Sequence, residues 1–405
     1  MKFTNAIFAV LALLSLGLLL WQWLAARRYP LHRRVADSAF APPVTLLKPL
    51  KGCDDTTAGS LRSWFNQNYS GPIQILFGVA GADDPACEMV QEIIAENPRC
   101  DAQLIVCAEF AGANAKAAKL VQLERLAKHD LILVSDADVR VPPDFLANVV
   151  APLRDEKVGL VNCFYRLANP TTTAMRWEAI AINADFWSQV LQSQTLKPLD
   201  FALGAAILLR RKNLEEIGGF QSLADCLADD YQLGHRIAKN GHRIALCPVV
   251  VECWDAPMNW REVWKHQLRW ARTIRVCQPL PYFFSILANA GFWALLWLAS
   301  ELLAATIHGL QSDGVSEIAI SLRPGTIAAV ICCLIRIGVA LNLQRRFTPE
   351  RNLVSFAWLV PVKDLLQAAI WLVAFLGNTV EWRGRKMKLR RDGTLVEENS
   401  CLAGP

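Results

Sequence analysis

The sequence has no Cys-x-x-Cys pair and no Cys/His cluster at zinc spacing, although it carries twelve cysteines. That excludes the common structural zinc modules and leaves the thiols to be read as small buried hydrophobes in a reducing compartment. Internal repeats and low-complexity segments are also missing, which excludes solenoids. Only Lys2 precedes the first apolar run, whereas a cleaved secretion signal carries its positive charge ahead of that run. The basic excess is not gathered into one stripe, so the net charge of +5 does not point to nucleic acid.

What is present in excess is apolar sequence. Hydrophobic residues make up 53% of the 405, with a mean hydropathy of +0.24, more than a soluble domain of this size carries. The run from Ala6 to Leu24 is followed by Arg27, Arg28, Arg33 and Arg34. This is the pattern of an uncleaved anchor whose following residues face the cytosol, consistent with a bacterial inner-membrane protein. Further apolar stretches lie near 283–307, 326–341 and 353–376. The first two read as spanning helices, and Arg345, Arg346 and Arg351 mark the return. Pro361, Lys363 and Asp364 interrupt the third, and a basic tail from Arg383 to Arg391 follows it. A broken or re-entrant segment with Lys363 and Asp364 near the membrane surface fits both facts.

Between anchor and C-terminal membrane region the texture changes. Strand-length runs at Val44–Leu47, Ile73–Ala80, Gln103–Cys107, Leu131–Ser135 and Val158–Cys163 alternate with amphipathic segments near 58–67, 85–96, 115–128 and 143–153. Such alternation predicts a mostly parallel, Rossmann-like α/β sheet covered on both faces. A further strand is expected within Asp200–Arg211, and an amphipathic stretch from Met175 to Leu191 either lies on the membrane or packs on the sheet. The predicted organisation is an anchor over 1–26, a linker over 27–43, a catalytic domain over 44–278, a membrane region over 279–380 and a basic cytosolic tail over 381–405.

Ligands of parallel sheets bind beyond the carboxyl ends of the strands, and carboxylates gather there. Asp83 and Asp84 follow the second strand, and Asp136 and Asp138 the fourth. Two carboxylates one residue apart can share a Mg2+ or Mn2+ ion that also grips a substrate diphosphate; without that ion they are solvated groups on a turn. Asp229 and Asp230 precede a helical pattern, as a capping pair or as the seat of a general base at Asp230. Asn114, Lys116 and Lys119 open another helix, where an amine either meets phosphate or stays in solvent. His266, Arg269 and Trp270 share a helical face at spacing i, i+3, i+4, suited to a phosphate and an apolar wall, or to a membrane-surface helix.

In this order the motifs resemble the GT-A inverting glycosyltransferases of family 2 and 21 type, above all ceramide glucosyltransferases and bacterial hopanoid-associated transferases. The resemblance runs over about residues 40–395. It rests on Val44–Gly52, Asp83-Asp84-Pro85, Asp136 with Arg140 and Val141, Gly218-Gly219-Phe220, Asp229-Asp230-Tyr231, and Glu381-Trp382-Arg383-Gly384. It implies a UDP-sugar donor contacted by Asp83 or Asp84, by Lys116, Asp136, His266, Arg269 and Trp270, a metal on Asp136 and Asp138, and Asp230 as base. The implied reaction is transfer of glucose to ceramide, or of N-acetylglucosamine to a hopanoid polyol, and the residues do not separate the two. Processive polysaccharide synthesis would need more spanning helices, a transporter would line several spans with ionisable residues where only Arg336, Lys363 and Asp364 are candidates, and an inert relative would lack a motif carboxylate. Two positions depart from the pattern. Ala115 stands where proline is usual, and His266 where glutamine or arginine is usual.

Overall fold

The computed structural model describes residues 2–107, 112–311, 323–348, 356–382 and 385–397. Arg351, Arg383 and Gly384 lie outside the described residues. The chain forms two compact units, each assembled from separate stretches of sequence.

The α/β unit comprises 30–170, 193–258 and 379–405. Its eight strands are β1 (Val44–Pro49), β2 (Ile73–Val79), β3 (Asp101–Val106), β4 (Leu131–Ser135), β5 (Val139–Arg140), β6 (Val158–Leu167), β7 (Ala206–Arg210) and β8 (Arg243–Cys253). They lie in the order β3-β2-β1-β4-β7-β6-β8-β5. β1 pairs in parallel with β2 and β4, β2 with β3, and β6 with β8, while β7 runs antiparallel to both β4 and β6. Every residue of β1 and β4 is buried, as expected of central strands covered on both faces, and the core gathers around Leu46, Phe77, Leu133, Phe145 and Val161. The predicted mostly parallel α/β sheet is therefore present.

Three local differences matter. β8 carries Pro248, which breaks the hydropathic pattern. The ladder to β6 tolerates it because the register shifts between Cys163 and Tyr165, where the proline's missing N–H breaks no regular pairing. The run Asp200–Arg211 becomes strand only from Ala206, leaving Gly204 just ahead of it. The basic tail is not loose where it is described: β9 (Thr379–Trp382), β10 (Arg385–Leu389) and β11 (Leu395–Glu397) form an antiparallel sheet. Leu395 N–H donates to the Asp225 carbonyl and Leu227 N–H to that of Gly393. The eleven described cysteines are free; Cys53 and Cys100 are exposed, contrary to the expectation of burial.

The helical unit comprises 1–29, 171–192 and 259–378. Three of its helices, Phe3–Arg28, Ala290–Ile307 and Pro324–Phe347, are long and apolar enough to cross a membrane, so the chain is membrane-associated. The Met175–Leu191 stretch takes neither expected place. It forms a helix (Thr173–Ile180), a π-turn (Ala181–Phe186) and a second helix starting at Trp187. It is buried among the apolar helices, with Trp187 stacked on Phe347 at 4.3 Å. Leu359–Ala374 is one continuous helix of 16 residues. Pro361 falls in its first turn, where a missing N–H leaves no bond unmade. Lys363 and Asp364 are buried within the protein and paired with each other, Nζ to Oδ1 at 3.1 Å.

Candidate active site

In the α/β unit the chemistry begins with a lysine that the strand pattern conceals. Lys48 lies inside β1, fully buried, with Nζ 2.5 Å from the Asp136 carbonyl and 3.4 Å from Ser135 Oγ, and 5.0 Å from the Trp64 ring centroid. Burial pulls its ammonium down to about 7, against the attraction of Asp138 and Asp136. Asp138 is pushed up to about 7 by burial first, then by repulsion from Asp255 and Asp136. Asp255 follows β8, and its N–H donates to Asn169 Oδ1. Three carboxylates and one buried lysine thus converge at the strand tips.

Lys116 joins this group to the acidic pair. Asn114 caps the helix Ala115–Leu126, its side-chain oxygen accepting from the N–H groups of Lys116 and Ala117 at 2.9 and 3.1 Å. The Asn114 amide nitrogen donates to the Cys226 carbonyl at 2.7 Å, so cap and acidic segment are tied together. Lys116 Nζ lies 2.7 Å from Asp136 Oδ1 and 3.4 Å from Asp229 Oδ2. These charges, joined by Asp230, outweigh the cost of burial and keep the ammonium protonated well above its ordinary range. It is 8% exposed, so it is not a solvated surface lysine.

Asp229 and Asp230 are the first two residues of the helix Asp229–Lys239, not its cap. Asp229 faces Lys116 and Asn114. Asp230 Oδ1 accepts from the Tyr231 N–H at 2.8 Å. Burial and the neighbouring Asp229 push Asp230 up to about 6, with Lys116 opposing. A carboxyl poised there takes up a proton near neutral pH more readily than a solvated one.

Asp83 and Asp84 part company. Asp84 accepts from Gly52 N–H with Oδ1 at 2.9 Å and Oδ2 at 3.2 Å, and from Ala86 N–H at 3.0 Å. It ties the loop after β1, where Gly52 takes φ +66°, to the loop after β2. Asp83 is exposed.

Asp136 and Asp138 offer only oxygen ligands, which suits a hard divalent cation. Among the described residues no three His, Cys, Asp or Glu side chains form a complete metal cage. An ion on Asp136 and Asp138 would draw its remaining ligands from water and a diphosphate.

In the helical unit, His266, Arg269 and Trp270 lie on the helix Trp260–Cys277, begun by a capping box between Asn259 and Glu262. His266 Nδ1 is 2.8 Å from Glu178 Oε1, which also accepts from Gln267 Nε2 at 2.8 Å. Glu178 is 1% exposed. His266 packs against Trp270 with ring centroids 4.5 Å apart. The departure from the family pattern at 266 thus places an imidazole beside a buried carboxylate.

The model of glycosyl transferase family 21 matches residues 7–395 of this chain. The chain belongs to that family. It is a glycosyltransferase, as the motif order implies. Among curated relatives, this glycosyltransferase is 26% identical over 226 residues to ceramide glucosyltransferase 3 of Caenorhabditis elegans, a match covering 55% of the chain but 48% of the relative. It is 22% identical over 368 residues to ceramide glucosyltransferase 1 of the same organism, covering 91% of the chain and 76% of the relative. Among solved structures, it is similar to a mannosyltransferase from Pyrobaculum calidifontis solved with GDP-Man and Mn2+. The TM-score is 0.54 and the identity 21%, over 91% of this chain and 99% of that one. That likeness supports the GT-A fold.

Lys48 and Asp255 escaped the motif reading. Lys48 is hidden because it directly follows the strand-forming run Val44–Leu47 and precedes Pro49, and its only signal is a charge at the end of a largely apolar stretch. Asp255 depends on recognising β8, which Pro248 disguises.

Proposed function

We propose that this family 21 enzyme transfers glucose from UDP-glucose to the primary hydroxyl of ceramide in a single inverting displacement. The observation that carries the reading is the carboxylate group bridged by Lys116, with Asp230 held near 6 beside it. The names of the ceramide glucosyltransferases similar to this chain support the acceptor.

In the proposed reaction the acceptor oxygen forms a bond to the anomeric carbon while the bond from that carbon to the diphosphate breaks. The hydroxyl proton passes to the carboxylate of Asp230. Asp83 is the carboxylate of its pair free of the loop-bridging bonds that engage Asp84, which favours it as the partner of the uridine. Asp136 and Asp138 are proposed to hold Mg2+ or Mn2+, which when bound neutralises charge on the departing diphosphate. Lys116 holds Asp136 in place through their 2.7 Å ion pair. Lys48 holds the Asp136 backbone. His266, Arg269 and Trp270 are proposed as further donor contacts on the strength of the motif order alone. Arg27, Arg28, Arg33 and Arg34 after the first span support an inner-membrane protein with its catalytic unit cytosolic.

The test is to incubate membranes containing the protein with labelled UDP-glucose or UDP-N-acetylglucosamine and with ceramide or hopanoid extract, and to identify the glycolipid by mass. Glucosylceramide is expected. N-acetylglucosaminyl hopanoid would replace the donor and acceptor, and no glycolipid from any pairing would reject the proposal.

A further inference from the structure

The helical unit contains a cavity of ≈ 300 Å³ whose lining is unlike that of an ordinary gap between apolar helices. One side is a closed network of four charged groups. The Arg336 guanidinium donates through Nε and Nη2 to the two oxygens of Asp364, both at 2.8 Å, and through Nη1 and Nη2 to those of Asp185 at 3.0 and 2.8 Å. Lys363 Nζ donates to Asp185 and, at 3.1 Å, to Asp364. All four are buried, and Arg336 sits midway along the candidate span Pro324–Phe347. A buried network of this kind adds little to stability over apolar packing, and ionisable groups at membrane depth usually serve function.

The second observation comes from another helix. Gln22, in the otherwise apolar N-terminal helix, lines the same cavity and is 2% exposed. Its Nε2 has no hydrogen-bond partner among the described residues. A buried amide N–H left unpaired costs about 1–3 kcal/mol, and a ligand oxygen in the cavity would relieve that cost. Gln189 and Gln367 line the cavity as well, as do Trp270 and Trp371.

The charges define what fits. Two cations and two anions cancel, so the wall favours no net charge, and a charged head of either sign would meet like charge and compete with the closed network. Amides that both donate and accept suit hydroxyl and carboxamide groups. The cavity falls at the small end of ligand sites, the size of a lipid head and not of a whole lipid. Beside the lining residues Pro281 and Tyr282 stand Leu280, Phe283 and Phe284, all exposed, an apolar surface on which hydrocarbon chains can lie.

We infer that this cavity receives the polar head of a neutral membrane lipid bearing hydroxyl or carboxamide groups, with the Gln22 amide donating to it. Its reading as the acceptor of sugar rests on the function proposed above.

The test uses the full chain in nanodiscs without donor, labelled by a photoactivatable ceramide whose cross-linked yield is followed against concentration. Gln22→Leu is expected to weaken ceramide binding about five- to tenfold, the worth of one buried hydrogen bond, and Gln367→Leu to act in the same direction from a different helix. Because Gln22→Leu removes a buried Nε2 that has no partner among the described residues, its thermal midpoint should stay close to that of the parent; if it fails to fold, Gln367→Leu decides. Diacylglycerol should displace the probe and phosphatidic acid should not. Parental affinity in the folded variants, or equal displacement by phosphatidic acid, overturns the inference. Binding without sugar transfer to any lipid would reject the proposed function and leave the cavity standing. Sugar transfer with ceramide binding insensitive to both variants would do the reverse.

Discussion

A β-carbon at Gly204 would lie 2.6 Å from Oδ2 of Asp230. The loop before β7 can therefore approach the carboxylate only because residue 204 has no side chain. Gly204→Ala should push Asp230 aside while leaving the sheet intact. Misplacement of a reacting group by about 1 Å costs on the order of 100-fold. The expected outcome is a kcat loss of roughly that size with thermal unfolding little changed, and near-parental kcat would separate the glycine from the position of the base.

Asp230→Asn should lower transfer by about 10²–10⁴-fold, the usual contribution of general-base catalysis, and leave UDP affinity largely intact. Isothermal titration with UDP and a radiolabelled transfer assay read the two effects separately. Turnover close to that of the parent would remove Asp230 from the role of base.

The same residue sets a pH dependence with a definite sign. The carboxyl is raised from 3.8 to about 6, so transfer that needs the ionised form should fall as pH drops through about 6 and level off above it. Stability runs the other way. Between these values the folded chain holds a proton that the unfolded chain has lost, so stability declines as pH rises from about 4 to 6. Asp230→Asn removes this term, and its melting advantage over the parent should widen across that window and then stay constant. A constant difference from pH 4 to 7 would contradict the raised value.

Lys116→Met should leave Asp136 and Asp229 without their shared counter-charge. Lys116 and Asp229 are largely buried but Asp136 is partly solvated, so a loss of about 1–3 kcal/mol is expected, measured by denaturant unfolding. Donor KM should rise at the same time. Unchanged stability would mean that the carboxylates are screened by something other than this ammonium.

Chelation should stop transfer, and Mn2+ or Mg2+ should restore it, if Asp136 and Asp138 hold the ion proposed for them. Full turnover in excess chelator, measured on membranes washed free of metal, would contradict that role.

The α/β sheet was legible because β1, β2 and β4 are apolar runs bounded by turn residues, and their buried faces match the pattern. Asp136, Asp138 and Asp230 were legible from their places at strand and helix tips. β8 was not, since a proline inside a strand can be accommodated only by a shift in the partner's register, and single-chain periodicity cannot show that shift. Lys363 and Asp364 looked like an interruption because their partners, Arg336 and Asp185, lie 27 and 178 residues away from the nearer of the two. Charge balance across such separations is invisible to any local window. The usual proline replaced by Ala115 shows no cost in the cap, because Asn114 supplies the bonds that start the helix.

The hydrogen bonds from Leu395 to Asp225 and from Leu227 to Gly393 bear on the order in which the protein becomes an enzyme. A ribosome completes residues 225–230 long before it reaches 393–395, and all three candidate spans are made in between or before. The segment leading into Asp229 and Asp230 thus receives these backbone partners only once residues 393–395 have been made. A nascent chain stalled before residue 393 would carry every motif carboxylate and all three candidate spans and still lack the backbone clasp on the segment that leads into Asp229 and Asp230.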